Sequence, residues 1–100
     1  MSWIVGFHQN FTTDLSDILA HYEYESGPKL VDEFYQEFRA TIHTVQENPA
    51  FFPRYRAEIR RANLKRFPYH FLYEIQLTSV WVFVLRHHRR NPDYGITRLL

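Results

Sequence analysis

"SVWVFVLRH", residues 79–87, decides the fold. Val80, Val82 and Val84 alternate with Trp81, Phe83 and Leu85, so both sides of an extended segment are apolar. A strand with that pattern belongs in the middle of a sheet whose two faces are both covered. Working backwards, "YHFLYEI" (69–75) sets Tyr69, Phe71, Tyr73 and Ile75 against His70, Leu72 and Glu74. "EIRRANLKRF" (58–67) sets Ile59, Arg61, Asn63 and Lys65 against Arg60, Ala62, Leu64 and Arg66, so one face is basic in either register. The gaps between these runs are short, which predicts an antiparallel meander rather than crossovers.

Upstream the period changes. Leu15, Ile18, Leu19 and Tyr22 fall at i, i+3, i+4 and i+7, and Val31, Phe34, Phe38, Ile42 and Val45 step by three or four residues. These are two amphipathic helices. Thr12 or Thr13 is placed to cap the first, with Asp14 and Asp17 near its positive end. Gly27 is expected to end it in a left-handed conformation, and Pro28 opens the second at its first position. Asn48-Pro49 stops that helix, and "PAFFPRYR" reads as a non-periodic connector whose Phe51 and Phe52 cover the end of the hairpin. "SWIVGFH" (2–8), with Trp3, Val5 and Phe7 on one side, suits a short strand. The predicted architecture is α+β: an N-terminal strand, then a helical hairpin packed on a twisted, mainly antiparallel sheet that ends in a three-stranded meander.

At 100 residues the chain is expected to form a single domain, 1–100, and the 18% aromatic content supplies a dense small core. Without cysteine there is no disulfide framework and no thiolate metal site. The N-terminus lacks the pattern of a secretory signal and no run approaches a membrane span, so a cytoplasmic protein without membrane attachment is expected. The net charge of +1 conceals a segregation. Residues 1–53 carry eight acidic against two basic residues, and the remainder carries ten basic against three acidic. If the halves form different faces, the C-terminal one attracts anionic surfaces.

The cluster "RHHRR" (86–90) concentrates the candidate chemistry. Adjacent histidines on a strand point to opposite faces, and three arginines repel a cation, so neither a metal nor another cofactor is expected. Arginine forks suit phosphate oxygens. Arg89 and Arg90, together with Arg61, Lys65 and Arg66, are therefore candidate target- or phosphate-binding residues if their segments are neighbours; a solvated basic edge that resists aggregation is the plain alternative. RNA cleavage needs a proton acceptor, a proton donor and cations, for which His87 or His88 is a candidate acid or base; a histidine that merely caps a strand end is equally compatible. Basic strands beside an amphipathic hairpin also offer a groove to an acidic polypeptide.

The ordered set of motifs resembles one family. "ENPAFFPRY" is similar to the N-P-x-x-F-P connector of the RelE/ParE toxins of type II toxin–antitoxin systems, carried by Asn48, Pro49, Phe52 and Pro53. "RRANLKRFPYHFLY" resembles their R-x-x-L-x-x-F-P-Y-x-x-x-Y strand pair, carried by Arg61, Leu64, Phe67, Pro68, Tyr69 and Tyr73. His87, Arg90 and Pro92 supply an H-x-x-R-x-P ending. The resemblance implies a toxin neutralised by a cognate antitoxin, and the connector and ending look closer to the ParE-like side, whose members poison DNA gyrase. RelE-like members instead cut mRNA in the ribosome, and for such an endoribonuclease His87 is the acid or base, with Arg61, Lys65 and Arg90 holding phosphate. A small nucleic-acid-binding domain without toxicity is the third reading. Family members more often have an apolar residue where this chain has Arg86, and no role is assigned to it.

Overall fold

A computed structural model describes residues 2–99. Strand β1 (Ile4–Phe7) leads into helix α1 (Phe11–Ser26) and helix α2 (Pro28–Glu47), followed by β2 (Arg54–Arg56), β3 (Ile59–Asn63), β4 (Tyr69–Ile75) and β5 (Ser79–His87). One turn of 3-10 helix, Ile96–Leu99, follows. The sheet has five strands in the order β1-β5-β4-β3-β2. β1 runs parallel to β5, and the other pairs are antiparallel. The expected α+β architecture is therefore present, with β5 near its centre.

Four local details differ from the sequence reading. Part of the connector is a strand: Arg54–Arg56 pairs with β3 and extends the meander to four strands. The "EIRRANLKRF" strand stops at Asn63, because Leu64 to Pro68 turns back so that the Leu64 N–H donates to the Tyr69 carbonyl at 2.9 Å. Lys65 and Arg66 thus lie in a loop. Helix α1 begins at Phe11, and Thr12 donates its hydroxyl to the Gln9 carbonyl at 2.9 Å instead of capping the helix. Gly27 does have a positive φ of 86°, but its ψ of 178° places it in the extended, glycine-only region rather than the left-handed helical one.

The hairpin covers one face. Phe34, Phe38 and Val45 from α2 and Phe11 from α1 pack on Ala62, Phe71, Tyr73, Val80, Val82 and Leu85. Phe34 lies 5.0 Å from the Phe67 ring and 5.5 Å from Tyr69, both edge-on, an arrangement aromatic pairs favour. The opposite face carries a smaller cluster of Ile59, Leu72, Phe83 and Val84, roofed by Tyr55, Trp81, Tyr94, Ile96 and Leu99. Gly6 makes room for the Trp81 ring, whose nearest atom would lie 3.0 Å from any Cβ at that position.

Between these layers, β5 contains a β-bulge. Leu72 pairs with Val84 and Tyr73 with Val82, leaving Phe83 unpaired on the β4 side. Phe83 and Val84 consequently share the outer face, opposite Val80 and Val82, whereas strict alternation puts Val84 with the other two valines. The backbone groups at the bulge are bound by side chains. The Leu85 N–H donates to Asp14 Oδ2 at 3.2 Å, and the Phe83 carbonyl accepts from Arg98 Nη1 at 2.9 Å.

Candidate functional site

Beyond the bulge, β5 sends Arg86 to the outer face and His87 to the hairpin side. Arg86 is 3% exposed and His70, its neighbour on β4, is 1% exposed. A charge that deep requires a full set of partners, and Arg86 has them. Its Nε donates to His70 Nε2 at 2.9 Å, its Nη1 to the carbonyls of Pro92 and Tyr94 at 2.8 and 2.9 Å, and its Nη2 to the Tyr55 hydroxyl at 3.3 Å.

The network continues outward. His70 Nδ1 lies 2.9 Å from Nδ1 of the exposed His88, and the two rings are nearly parallel at 13°. Arg61 on β3 places Nη2 at 3.2 Å from the same His88 nitrogen and gives Nε to Asn63 Oδ1 at 2.7 Å. The guanidiniums of Arg61 and Arg86 each sit 5.7 Å from the centre of the Tyr55 ring, within cation–π range. Burial, followed by the nearby Arg61 and Arg86 charges, pushes His70 down to about 3. Burial and then Arg61 hold His88 below its ordinary value, because a second positive charge is unwelcome there. Burial also lowers Arg61. Among the described residues, no carboxylate is hydrogen-bonded to any of these groups.

The hairpin side holds a different arrangement. A cleft of about 230 Å³ between α1 and the end of β5 is lined by Asp17, His21, Tyr69, His87, Arg90 and Tyr94, among others. His87 meets Tyr69 edge-on at 5.0 Å, and its Nδ1 accepts the Arg89 N–H at 3.0 Å. The Arg90 guanidinium rests 4.0 Å from the centre of the Tyr94 ring.

The residues singled out from sequence therefore fall into three places. Arg61 is on the outer face. His87 and Arg90 border the cleft, with the exposed Arg89 in the turn beside them. Lys65 and Arg66 lie against α2, where the Glu37 carboxylate accepts both of their backbone N–H groups and Arg66 Nη2 pairs with Glu33 Oε2 at 3.0 Å. The structure brings Arg61 of "EIRRANLKRF" beside Arg86 and His88 of "RHHRR" on the outer face, but not Lys65, Arg66, Arg89 or Arg90. Arg60 is turned away as well, donating to the Phe52 carbonyl at 2.6 Å. His70 and Arg86, which hold the outer network together, have no role in the sequence reading. The available signal is that His70 and Arg86 are the polar interruptions of strands otherwise buried at those positions.

No family model and no curated protein sequence matches the chain. Solved structures do. A chain of the chromosomal ParDE toxin–antitoxin system from P. aeruginosa is 17% identical, with 86% of this chain and 96% of that one covered and a TM-score of 0.75. The E. coli toxin RelE, solved as a mutant in the free state, is 14% identical, with both chains covered completely and a TM-score of 0.65. At such identities a likeness speaks for the fold. The hairpin on a β1-β5-β4-β3-β2 sheet is the fold that this chain shares with both of those structures.

Proposed function

We propose that the chain is the toxin of a type II toxin–antitoxin pair, neutralised by a cognate antitoxin, and that it acts in the cytoplasm as ParE-like proteins do, by contact with DNA gyrase. The observation that carries this reading is the match to the ParDE chain over nearly its whole length. The site chemistry supports contact over catalysis. His70 and His88 spend their facing nitrogens on each other, and His87 spends Nδ1 on a backbone N–H. Two titratable groups poised as acid and base across an open site, which RNA cleavage requires, do not arise from these partners. The exposed acidic positions of the hairpin and the basic outer strands give an antitoxin two surfaces of opposite sign to engage.

The second reading is a ribosome-dependent mRNA endoribonuclease, favoured by the exposed His88 beside Arg61. In that case His88 is the acid or base beside Arg61 on phosphate, while the sequence candidates His87 and Arg90 border the cleft and Lys65 lies against α2. A supercoiling assay with purified gyrase decides the first reading: dose-dependent loss of supercoiling is expected, and unchanged activity at large excess overturns it. Mapping mRNA ends after addition to translating ribosomes decides the second, since discrete new ends appear only if the message is cut.

A further inference from the structure

The cleft between α1 and the end of β5 is bordered by charges of opposite sign. Helix α1 contributes Asp17 and His21, one turn apart, while β5 and the turn after it contribute His87 and Arg90; Ile18 and Leu85 supply apolar surface. Among the described residues, neither the Asp17 carboxylate nor the Arg90 guanidinium makes an ion pair, so the two charges border one cavity without neutralising each other. Asp14 also lines the cleft, but its oxygens already accept from Arg98, the Tyr94 hydroxyl and the Leu85 N–H. That bonding steadies the basic side. Tyr94 donates its hydroxyl to Asp14, which is only 6% exposed, and accepts from Arg98 Nη2 at 3.1 Å, so the ring on which Arg90 rests is held in place. His87 is oriented too: its Nδ1 accepts the Arg89 N–H, which puts the proton of the neutral imidazole on Nε2 and makes that nitrogen a donor.

We propose that this cleft binds a small zwitterion of the apolar amino-acid class, its ammonium against Asp17, its carboxylate against the Arg90 fork and the His87 Nε2–H, and its side chain on Ile18 and Leu85. A simple anion is repelled by Asp17 and a simple cation by Arg90, whereas a neutral ligand leaves both charges without a partner. A ligand carrying both signs gains on both sides of the cleft. The planar arginine fork with a second donor beside it matches the two oxygens of a carboxylate. A metal ion does not suit the same groups, because among the described residues no three His, Asp or Glu side chains are grouped closely enough to hold one. At about 230 Å³ the cleft lies below the roughly 300–1,000 Å³ of sites that take drug-sized ligands, so its occupant is small. The inference requires neither gyrase nor an antitoxin, and its failure would leave the toxin reading untouched.

Titration of the full chain, followed by NMR, tests this with four probes: L-leucine, the dipeptide leucylglycine, N-acetyl-leucine, which lacks the ammonium, and leucinamide, which lacks the carboxylate. Saturable shifts at Ile18, His21, Leu85 and His87 are expected with at least one of the two zwitterions. Tighter binding of leucine assigns the cleft to a free amino acid, and tighter binding of the dipeptide assigns it to a short peptide, whose charges stand further apart. Each one-charge analogue should bind about tenfold or more weakly than the better zwitterion. No saturation with either zwitterion, or equal binding of either analogue, overturns the site. Asp17 and Arg90 are exposed, so their variants are expected to fold, and they separate the two charges. Asp17→Asn should weaken leucine by about tenfold while leaving N-acetyl-leucine as it was, and Arg90→Gln should weaken leucine while leaving leucinamide as it was. A variant that weakens leucine and the matching analogue equally would show that the missing charge does not face the group assigned to it, and would overturn the proposal.

Discussion

Asp14, in the first turn of α1, and Arg98, in the last turn of the chain, meet at 2.6 Å across 84 positions of sequence. Their side chains are only 4% and 12% exposed, and neither is there for the other alone. Asp14 also accepts the Leu85 N–H and the Tyr94 hydroxyl, the latter at 2.7 Å, while Arg98 donates to the Phe83 carbonyl. The pair ties the C-terminal turn to the first helix through the bulged section of β5. It thereby holds the bulge that decides which of Arg86 and His87 faces which side.

Asp14→Ala is accordingly expected to destabilise the protein by about 3–5 kcal/mol, because it leaves Arg98 buried without its anion and the Leu85 N–H without an acceptor. Urea unfolding measures this. A loss below about 1 kcal/mol would show that the pair behaves like a surface ion pair instead.

Gly95→Ala tests the same segment from its other end. Gly95 has a φ of 84°, and a Cβ there would fall 2.5 Å from Val84 Cγ2. Strain and overlap act together, so a loss of about 2 kcal/mol or more is expected. The roof over Leu72 and Phe83 should loosen first, visible as faster amide exchange at Phe83 and Val84 than at Val80. Uniform exchange across β5 would contradict that order.

The elements were legible from the sequence because their apolar periods are clean: Phe34, Phe38, Ile42 and Val45 admit no reading but a helix face. The face assignments within β5 were not. Trp81, Val82, Phe83, Val84 and Leu85 are all apolar, so a one-residue bulge among them leaves no trace in the pattern, yet it moves Val84 across the sheet. The strand Arg54–Arg56 escaped for another reason, being only three residues long and flanked by proline. The dispersal of the basic residues followed from a turn: once β3 ends at Asn63, Lys65 and Arg66 belong to α2's surroundings, where Glu33 and Glu37 were visible in the sequence only as an acidic helix face.

Glu37 anchors that turn. Its carboxylate takes the N–H groups of both Lys65 and Arg66, so Glu37→Ala should cost about 1–3 kcal/mol and raise proteolytic nicking between Asn63 and Pro68. Glu37→Gln, which keeps one acceptor oxygen, should recover part of the loss. Equal behaviour of the two variants would mean that helix packing, not the carboxylate, orders the loop.

The contact reading predicts how basic side chains divide between target and fold. Arg89 is exposed and Arg90 borders the cleft, so Arg89→Gln with Arg90→Gln should leave unfolding unchanged and weaken inhibition of gyrase by about tenfold or more, as loss of charged contacts at an interface does. His87→Ala should leave inhibition within about threefold, because a group used for contact costs far less than the roughly 10²–10⁴ in rate carried by a catalytic acid or base. A much larger effect of His87→Ala, appearing in mRNA cleavage and not in supercoiling, would move the function to the ribosome.

Buried His70, with the exposed His88 against it, makes stability fall with acidity in a defined window. From an ordinary 6.5 in the unfolded chain, His70 is pushed down to about 3 in the fold by burial first and then by the charges of Arg61 and Arg86. Between those values the unfolded chain binds the extra proton and the native one does not, so stability is full above the upper value and declines as the pH drops towards the lower. The slope approaches a tenfold change in the folding equilibrium per pH unit for each such histidine. His88, shifted in the same direction, steepens it. Urea midpoints taken between about pH 6.5 and pH 5, above the range where carboxylates titrate, isolate the effect. His70→Asn should flatten the profile while lowering stability at neutral pH, since Arg86 Nε loses its imidazole acceptor. An unchanged slope in that variant would remove His70 from the account of how the outer network holds its charge.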